Sequence, residues 1–261
     1  MRQTFRREGL VDRQAGALSS SNKLLRIVTI LSLALAGAEL LLALHYRRES
    51  ERNVAEKFQE LYYDSAVWFN TRWLGVRSQQ APTDNWSMQE IIAEIRPDYV
   101  VETGTANGGT SLFYAAVLSY VNPEGRVITI DVEPHVEDAS KLPLWKQRVE
   151  MIVGSSVDPK VTDHISQEVS GKKVLVTLDS LHTRDHVLKE MEIYSKLVSS
   201  GSYLVVQDTN INGHPVGAGW GPGPMEAVDD FLKTNDNFVV DRSREKFMLT
   251  FYPGGWLKRV K

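Results

Sequence analysis

Thirteen residues, 99–111, constrain this chain more than any others: Tyr-Val-Val-Glu-Thr-Gly-Thr-Ala-Asn-Gly-Gly-Thr-Ser. They read as a short buried strand, a glycine-rich turn and the first turn of a helix. Gly104 and Gly108 let the backbone bend sharply and approach a ligand closely. The helix that follows offers free N–H groups at its start. Glu102 closes the strand, and a second apolar run, 126–130, ends in another acid, Asp131. Strand, glycine turn, helix, strand and acid together are how α/β proteins hold a nucleoside-containing ligand, the second acid taking the ribose hydroxyls.

The glycine spacing separates two ligand classes. A dinucleotide fingerprint is G-x-G-x-x-G, whereas this run is Gly104-x-x-x-Gly108-Gly109. Glu102, two residues before the first glycine, suits a cationic ligand and would sit poorly beside a pyrophosphate. The pattern points to S-adenosylmethionine (SAM), with Glu102, Gly104, Thr105, Gly108 and Asp131 as cofactor-binding candidates. The bland alternative is a tight turn with no ligand.

Punctuation along the chain predicts the rest. Ser87-Met-Gln-Glu90 has the form of a capping box, so a helix is expected from Ser87 to Pro97. Strands are expected at 99–102, 126–130, 150–153, 174–178, 202–206, 238–240 and 248–252, with helices over 110–120, 161–169, 184–197 and 225–233. Such alternation implies an α/β fold: a Rossmann-like, doubly wound, seven-stranded, mostly parallel sheet, its last two strands an antiparallel pair.

Ligands bind such sheets beyond the carboxyl ends of the strands. Those ends supply Ser155 and Ser156, placed to meet an adenine, then Asp179 and His182, then Gln207 and Asp208. Asp179, Gln207 and Asp208 form an oxygen-rich candidate set for Mg²⁺, which would lower the pKa of a substrate hydroxyl. His182 is a candidate general base beside Asp179. The alternative is that the two aspartates only cap the following turns. His186, inside a helix, reads as structural, and His214 lies in a glycine-rich loop suited to a lid.

The N-terminal part differs. Residues 1–22 are polar and rich in Arg, Ser and Gln, the composition of a disordered tail. Residues 27–44 are almost wholly apolar, broken chiefly by Glu39. Eighteen helical residues reach roughly 27 Å, close to a bilayer core. A single-pass signal anchor over 23–45 is therefore expected, its orientation unset because basic residues flank both sides. A buried or interfacial helix is the alternative, kept alive by Glu39. Residues 46–84 read as a helical stalk and flanking helix, with Tyr62, Tyr63, Trp68, Phe69 and Trp73 packed on the domain's flank or forming a lip over the site. The remaining domain, 85–261, is of ordinary size.

Several stretches resemble the cephalosporin hydroxylase family, which includes rhamnosyl O-methyltransferases: 100–113, 125–134, 178–209, 220–232 and 252–259, most of 85–261. The 178–209 segment, LDSLHTRDHVLKEMEIYSKLVSSGSYLVVQDT, is the most diagnostic. The resemblance implies a class I SAM-dependent methyltransferase fold and a magnesium site at an acid after the fourth strand and an acidic pair after the fifth. Asp179 and Asp208 match; Gln207 stands where relatives carry Glu.

The function expected is SAM-dependent O-methylation of a small-molecule or sugar hydroxyl, with Mg²⁺ assistance. The alternatives are a membrane-tethered binding or scaffold protein with a decayed metal site, and an oxygenase, for which the usual two-histidine, one-carboxylate spacing is missing. The partners expected are the hydroxyl substrate, a membrane through the N-terminal helix and a second copy if the chain forms a homo-oligomer. The net charge of −3 gives no reason to expect nucleic acid, and the absence of Cys removes thiolate chemistry.

Overall fold

The computed structural model describes the backbone of residues 4–261 and the side chains of residues 29–261. The tail expected over 1–22 lies outside the residues described in full. The chain divides into a first unit ending at Val54 and a second, Ala55–Lys261. Helix α1 runs Thr4–Asp64. Among the described residues, its stretch Thr29–Asp64 is long and apolar enough to cross a membrane by length and composition. Ile30, Leu33, Leu35 and Leu41 on it are each more than half exposed.

The second unit is built on a seven-stranded sheet. Its first three strands, β3 (Tyr99–Thr103), β4 (Arg126–Asp131) and β5 (Val149–Val153), follow a small hairpin, β1 (Arg72–Trp73) and β2 (Val76–Arg77). Then come β6 (Val174–Leu178), β7 (Tyr203–Val206), β8 (Phe238–Val240) and β9 (Trp256–Arg259). The order is β5-β4-β3-β6-β7-β9-β8. The first five strands of this order are parallel, and β9 runs antiparallel between β7 and β8.

Each central strand is apolar on both faces, because helices cover both. Val101, Ile128, Val176 and Leu204 enter one core with residues of α5 (Pro159–Glu168), α6 (Arg184–Tyr194) and α7 (Pro224–Thr234). Val100, Val127, Leu175 and Tyr203 enter the other with residues of α2 (Pro82–Ile95) and α3 (Gly109–Val121). Tyr62, Tyr63, Trp68 and Trp73 pack against this second core, so the aromatic cluster does cover a flank. A short helix absent from the sequence expectation, α4 (Pro143–Arg148), precedes β5.

Two expectations are corrected. Helix α2 begins at Pro82 with Ala81 as its cap, and the Ser87 hydroxyl donates to the Arg244 carbonyl from inside the helix. Pro at the first helical position starts the helix earlier than the Ser-x-x-Glu pattern does. The final strand is β9, not 248–252. Met248 is left-handed, at φ +61°. The backbone beyond it bonds to side chains instead of a ladder: Leu249 C=O takes Thr83 Oγ1 at 2.7 Å, Thr250 C=O takes Gln59 Nε2 at 2.5 Å, and Phe251 N–H donates to Asp84 at 2.8 Å.

Candidate functional site

A cleft of about 660 Å³ opens beyond the carboxyl ends of β3, β4, β5, β6 and β7. Its volume is that of a small-molecule site. Gly104, Asp131, Ser155, Ser156, Asp179, His182 and Asp208 line it. So do residues the sequence reading did not single out as ligands, among them Trp68, Phe69, Gln79, Gln80, Ala106 and His186. Trp68, packed on the flank, and Phe69, ring centroids 3.8 Å apart, both line the cleft.

The turn after β3 owes its shape to close packing. Gly104 has φ +85°, and a Cβ there would lie 1.8 Å from the Asp179 carbonyl oxygen. Only glycine lets the turn pass the end of β6 this closely. Gly108 (φ +80°) packs against the Trp145 ring, where a Cβ would meet the ring at 2.6 Å. Asp131 holds the turn from β4: its carboxylate accepts from Ala106 N–H at 2.8 Å and Glu133 N–H at 2.9 Å. Each oxygen keeps a further lone pair.

Glu102, Thr105 and Gly108 are not on the cleft lining. Glu102 is 1% exposed. Its carboxyl accepts from Thr129 Oγ1 at 2.7 Å and from the Ser111 hydroxyl. Burial pushes its pKa up to about 8, against the lowering effect of Ser111 and Thr129. It ties the start of α3 to β4 instead of facing a ligand. The Thr105 hydroxyl is paired with that of Thr129 at 2.7 Å. These residues support the turn from behind.

At the other end of the cleft, His182 Nε2 lies 3.2 Å from Asp179 Oδ1 and 3.2 Å from Asp208 Oδ2. Burial works to lower the His182 pKa, but Asp208 and Asp179 outweigh it and raise it to about 9. The two carboxylates thus favour the protonated imidazole, which sits between them. Burial raises the Asp179 pKa to about 6, and burial also raises that of Asp208. Asp208 is left-handed at φ +52°, a strained conformation of the kind that collects at functional sites. The Trp220 indole N–H donates to the His182 carbonyl at 3.3 Å.

One donor of the expected metal set points elsewhere. Gln207 is 1% exposed and absent from the cleft lining. Its Oε1 accepts from Gln80 Nε2 at 2.8 Å and the Tyr252 hydroxyl at 2.6 Å, and its Nε2 donates to Thr177 at 2.7 Å. Both lone pairs of the amide oxygen and one of its N–H groups are taken. Asp179, His182 and Asp208 instead offer ligand atoms within 4.8 Å of one another, a donor set that fits a divalent cation. His214, the other loop histidine, pairs with Glu226 at 2.9 Å and does not line the cleft.

With this geometry in place, the comparisons decide the family. Residues 65–260 match the family described as Rhamnosyl O-methyltransferase/CmcI. The chain belongs to that family. It is 38% identical over 213 residues to the rhamnosyl O-methyltransferase of Mycobacterium bovis (strain BCG / Pasteur 1173P2), covering 79% of this chain and 85% of that one. The Mycobacterium leprae rhamnosyl O-methyltransferase is 34% identical, with 79% and 91% covered. Among solved structures, CmcI with Mg and SAM superposes with a TM-score of 0.56 at 17% identity, covering 74% of this chain and 78% of that one. An apo form of CmcI gives 0.56 at 18% identity, with 73% and 76% covered. These superpositions establish the Rossmann-like fold.

Proposed function

We propose that this member of the rhamnosyl O-methyltransferase/CmcI family is a SAM-dependent O-methyltransferase acting on a sugar or small-molecule hydroxyl. The observation that carries the reading is a single cleft with a glycine turn and Asp131 at one end and the Asp179–His182–Asp208 cluster at the other. The relatives named rhamnosyl O-methyltransferases favour a sugar acceptor.

SAM, when bound, supplies an electrophilic methyl group. Asp131 would take the ribose hydroxyls through its remaining lone pairs, and Ser155 and Ser156 would meet the adenine. Gly104 and Ala106 bring backbone, not side chain, to the cofactor. Asp179 and Asp208 would hold a divalent cation, which would supply positive charge near the reacting hydroxyl. His182 Nε2, in its neutral form, would accept the hydroxyl proton. The aromatic pair Trp68 and Phe69 shields the cleft from water on one side.

The N-terminal unit suggests that the enzyme works at a membrane. The apolar stretch has the length for one crossing, its large side chains are exposed, and basic residues flank it on both sides. Calorimetric titration of the chain with SAM, followed by methyl transfer to a rhamnosyl acceptor, tests the reading. No SAM binding at millimolar ligand would refute it.

A further inference from the structure

We propose that Gln80 is a positioning residue for the reaction: its amide sets the orientation of the Asp179 carboxylate, and hence of the whole Asp179–His182–Asp208 cluster. The inference rests on the methyltransferase reading of the cleft for its turnover arm only.

Gln80 comes from far away in sequence. It lies in the strap between the β1–β2 hairpin and α2, on the wall of the cleft. The strap is clamped from several directions. Thr71 Oγ1 takes the Gln80 N–H at 3.0 Å and donates to its carbonyl at 3.1 Å. Gly109, at the start of α3, packs so closely that a Cβ there would lie 2.3 Å from the Arg77 carbonyl oxygen. Thr110 Oγ1 donates to the Ser78 carbonyl at 3.1 Å. The Gln80 backbone therefore has little freedom.

The side chain is also fully used. Gln80 is 5% exposed. One amide N–H donates to Asp179 Oδ2 at 3.1 Å and the other to Gln207 Oε1 at 2.8 Å, while its carbonyl oxygen shares the single Tyr252 hydroxyl proton with Gln207 Oε1. Gln207 is anchored in turn to Thr177 of β6, one residue from the strand's end. With Oδ2 held by Gln80, the Asp179 carboxylate presents Oδ1 to His182. Outer partners of this kind fix the direction of a ligand's lone pairs, and losing one typically costs about 10–100-fold in metal affinity or activity.

The test compares wild type with Gln80→Ala and Gln80→Leu, full chain in each case. Leucine keeps most of the volume and removes the donors, so a packing loss in the alanine variant does not decide the result. Three quantities are read: SAM affinity by calorimetry, Mn²⁺ or Mg²⁺ affinity by titration without acceptor, and kcat and KM for methyl transfer to a rhamnosyl acceptor. Both variants should lose about 10–100-fold in cation affinity and kcat. SAM affinity and acceptor KM should stay within about twofold, a split that a general structural role would not give. The proposal is overturned if Gln80→Leu keeps wild-type cation affinity and kcat, or if SAM affinity falls in step with kcat. Cation binding that the variants weaken, in a wild type that transfers no methyl group, would sink the methyltransferase reading and keep this one. A wild type that neither binds a cation nor turns over would overturn both.

Discussion

Substituting Gly104 by alanine isolates what close packing contributes to the site. Two costs add at this position. An alanine at φ +85° sits in the left-handed region, which disfavours a side chain by about 1–2 kcal/mol. Its Cβ would also fall 1.8 Å from the Asp179 carbonyl oxygen and 2.5 Å from the carbonyl carbon. That backbone cannot retreat freely, because Asp179 N–H donates to the Thr103 carbonyl at 2.9 Å. Relieving such an overlap adds about 1–3 kcal/mol, as for an overpacked core. The sum is roughly 2–5 kcal/mol, a large part of the ~5–15 kcal/mol that holds a domain folded. Gly171 is the control: its φ is +72°, and a Cβ there meets nothing within 4 Å. Gly171→Ala should therefore cost only the dihedral term. Urea denaturation of the three proteins, compared at constant m-value, measures the difference. Gly104→Ala should also weaken SAM binding, since the turn must move away from β6, while Gly171→Ala should not. If both variants lose the same stability and both bind SAM normally, the close approach does not shape the site and the reasoning fails.

Asp84, buried in α2, has its pKa pushed up to about 7 by burial, against its bonds to Thr250 and Phe251. The folded chain thus holds more protons than the unfolded chain from pH 3.8 to about 7, so this residue makes stability fall as pH rises through that window. Asp84→Asn keeps an acceptor for the Phe251 N–H and should raise stability at pH 8, by at most about 4 kcal/mol, while flattening the pH profile; a variant less stable than wild type at pH 8 refutes this. Asp131→Ala should weaken SAM binding by about 1–3 kcal/mol in calorimetry, through lost bonds to the ligand and a loosened turn, and unchanged affinity would remove Asp131 from the cofactor site. Asp179→Asn should abolish cation binding in a titration, whereas Gln207→Glu, whose side chain faces Tyr252, Gln80 and Thr177, should change it less; the reverse order would restore Gln207 to the donor set. Full-length protein should sediment with membranes and resist carbonate extraction, and recovery in the supernatant would exclude the anchor.

Regular periodicity made most of the sheet legible in the sequence. The apolar runs of β3, β4, β6 and β7 are buried on both faces, so they stand out without any alternation to decode. Asp131, Asp179 and Asp208 were placed because they lie at or just beyond the ends of those runs. What misled was local chemistry that tertiary contacts override. Ser87 looks like a cap but sits inside a helix that Pro82 starts. The 248–252 run looks like a strand, yet Asp84, Thr83 and Gln59 take its backbone groups. Glu102 is the residue type a cationic ligand would want, but burial disfavours its charge, and Ser111 and Thr129 hold it behind the turn. Gln80 had no signal at all: a glutamine 99 positions from Asp179 meets it only when the strap folds over the carboxyl ends of β6 and β7.

The central claim is that the cleft beyond β3, β4 and β6 holds SAM with its methyl group toward a hydroxyl near His182. Incubating the chain with methyl-labelled SAM and a rhamnosyl acceptor, with Asp179→Asn alongside, tests it most directly. Label on an acceptor oxygen and S-adenosylhomocysteine in equal amount are expected from wild type, with turnover lost in the variant while SAM still binds. SAM that fails to bind wild type, or label transferred equally well by Asp179→Asn, would contradict it.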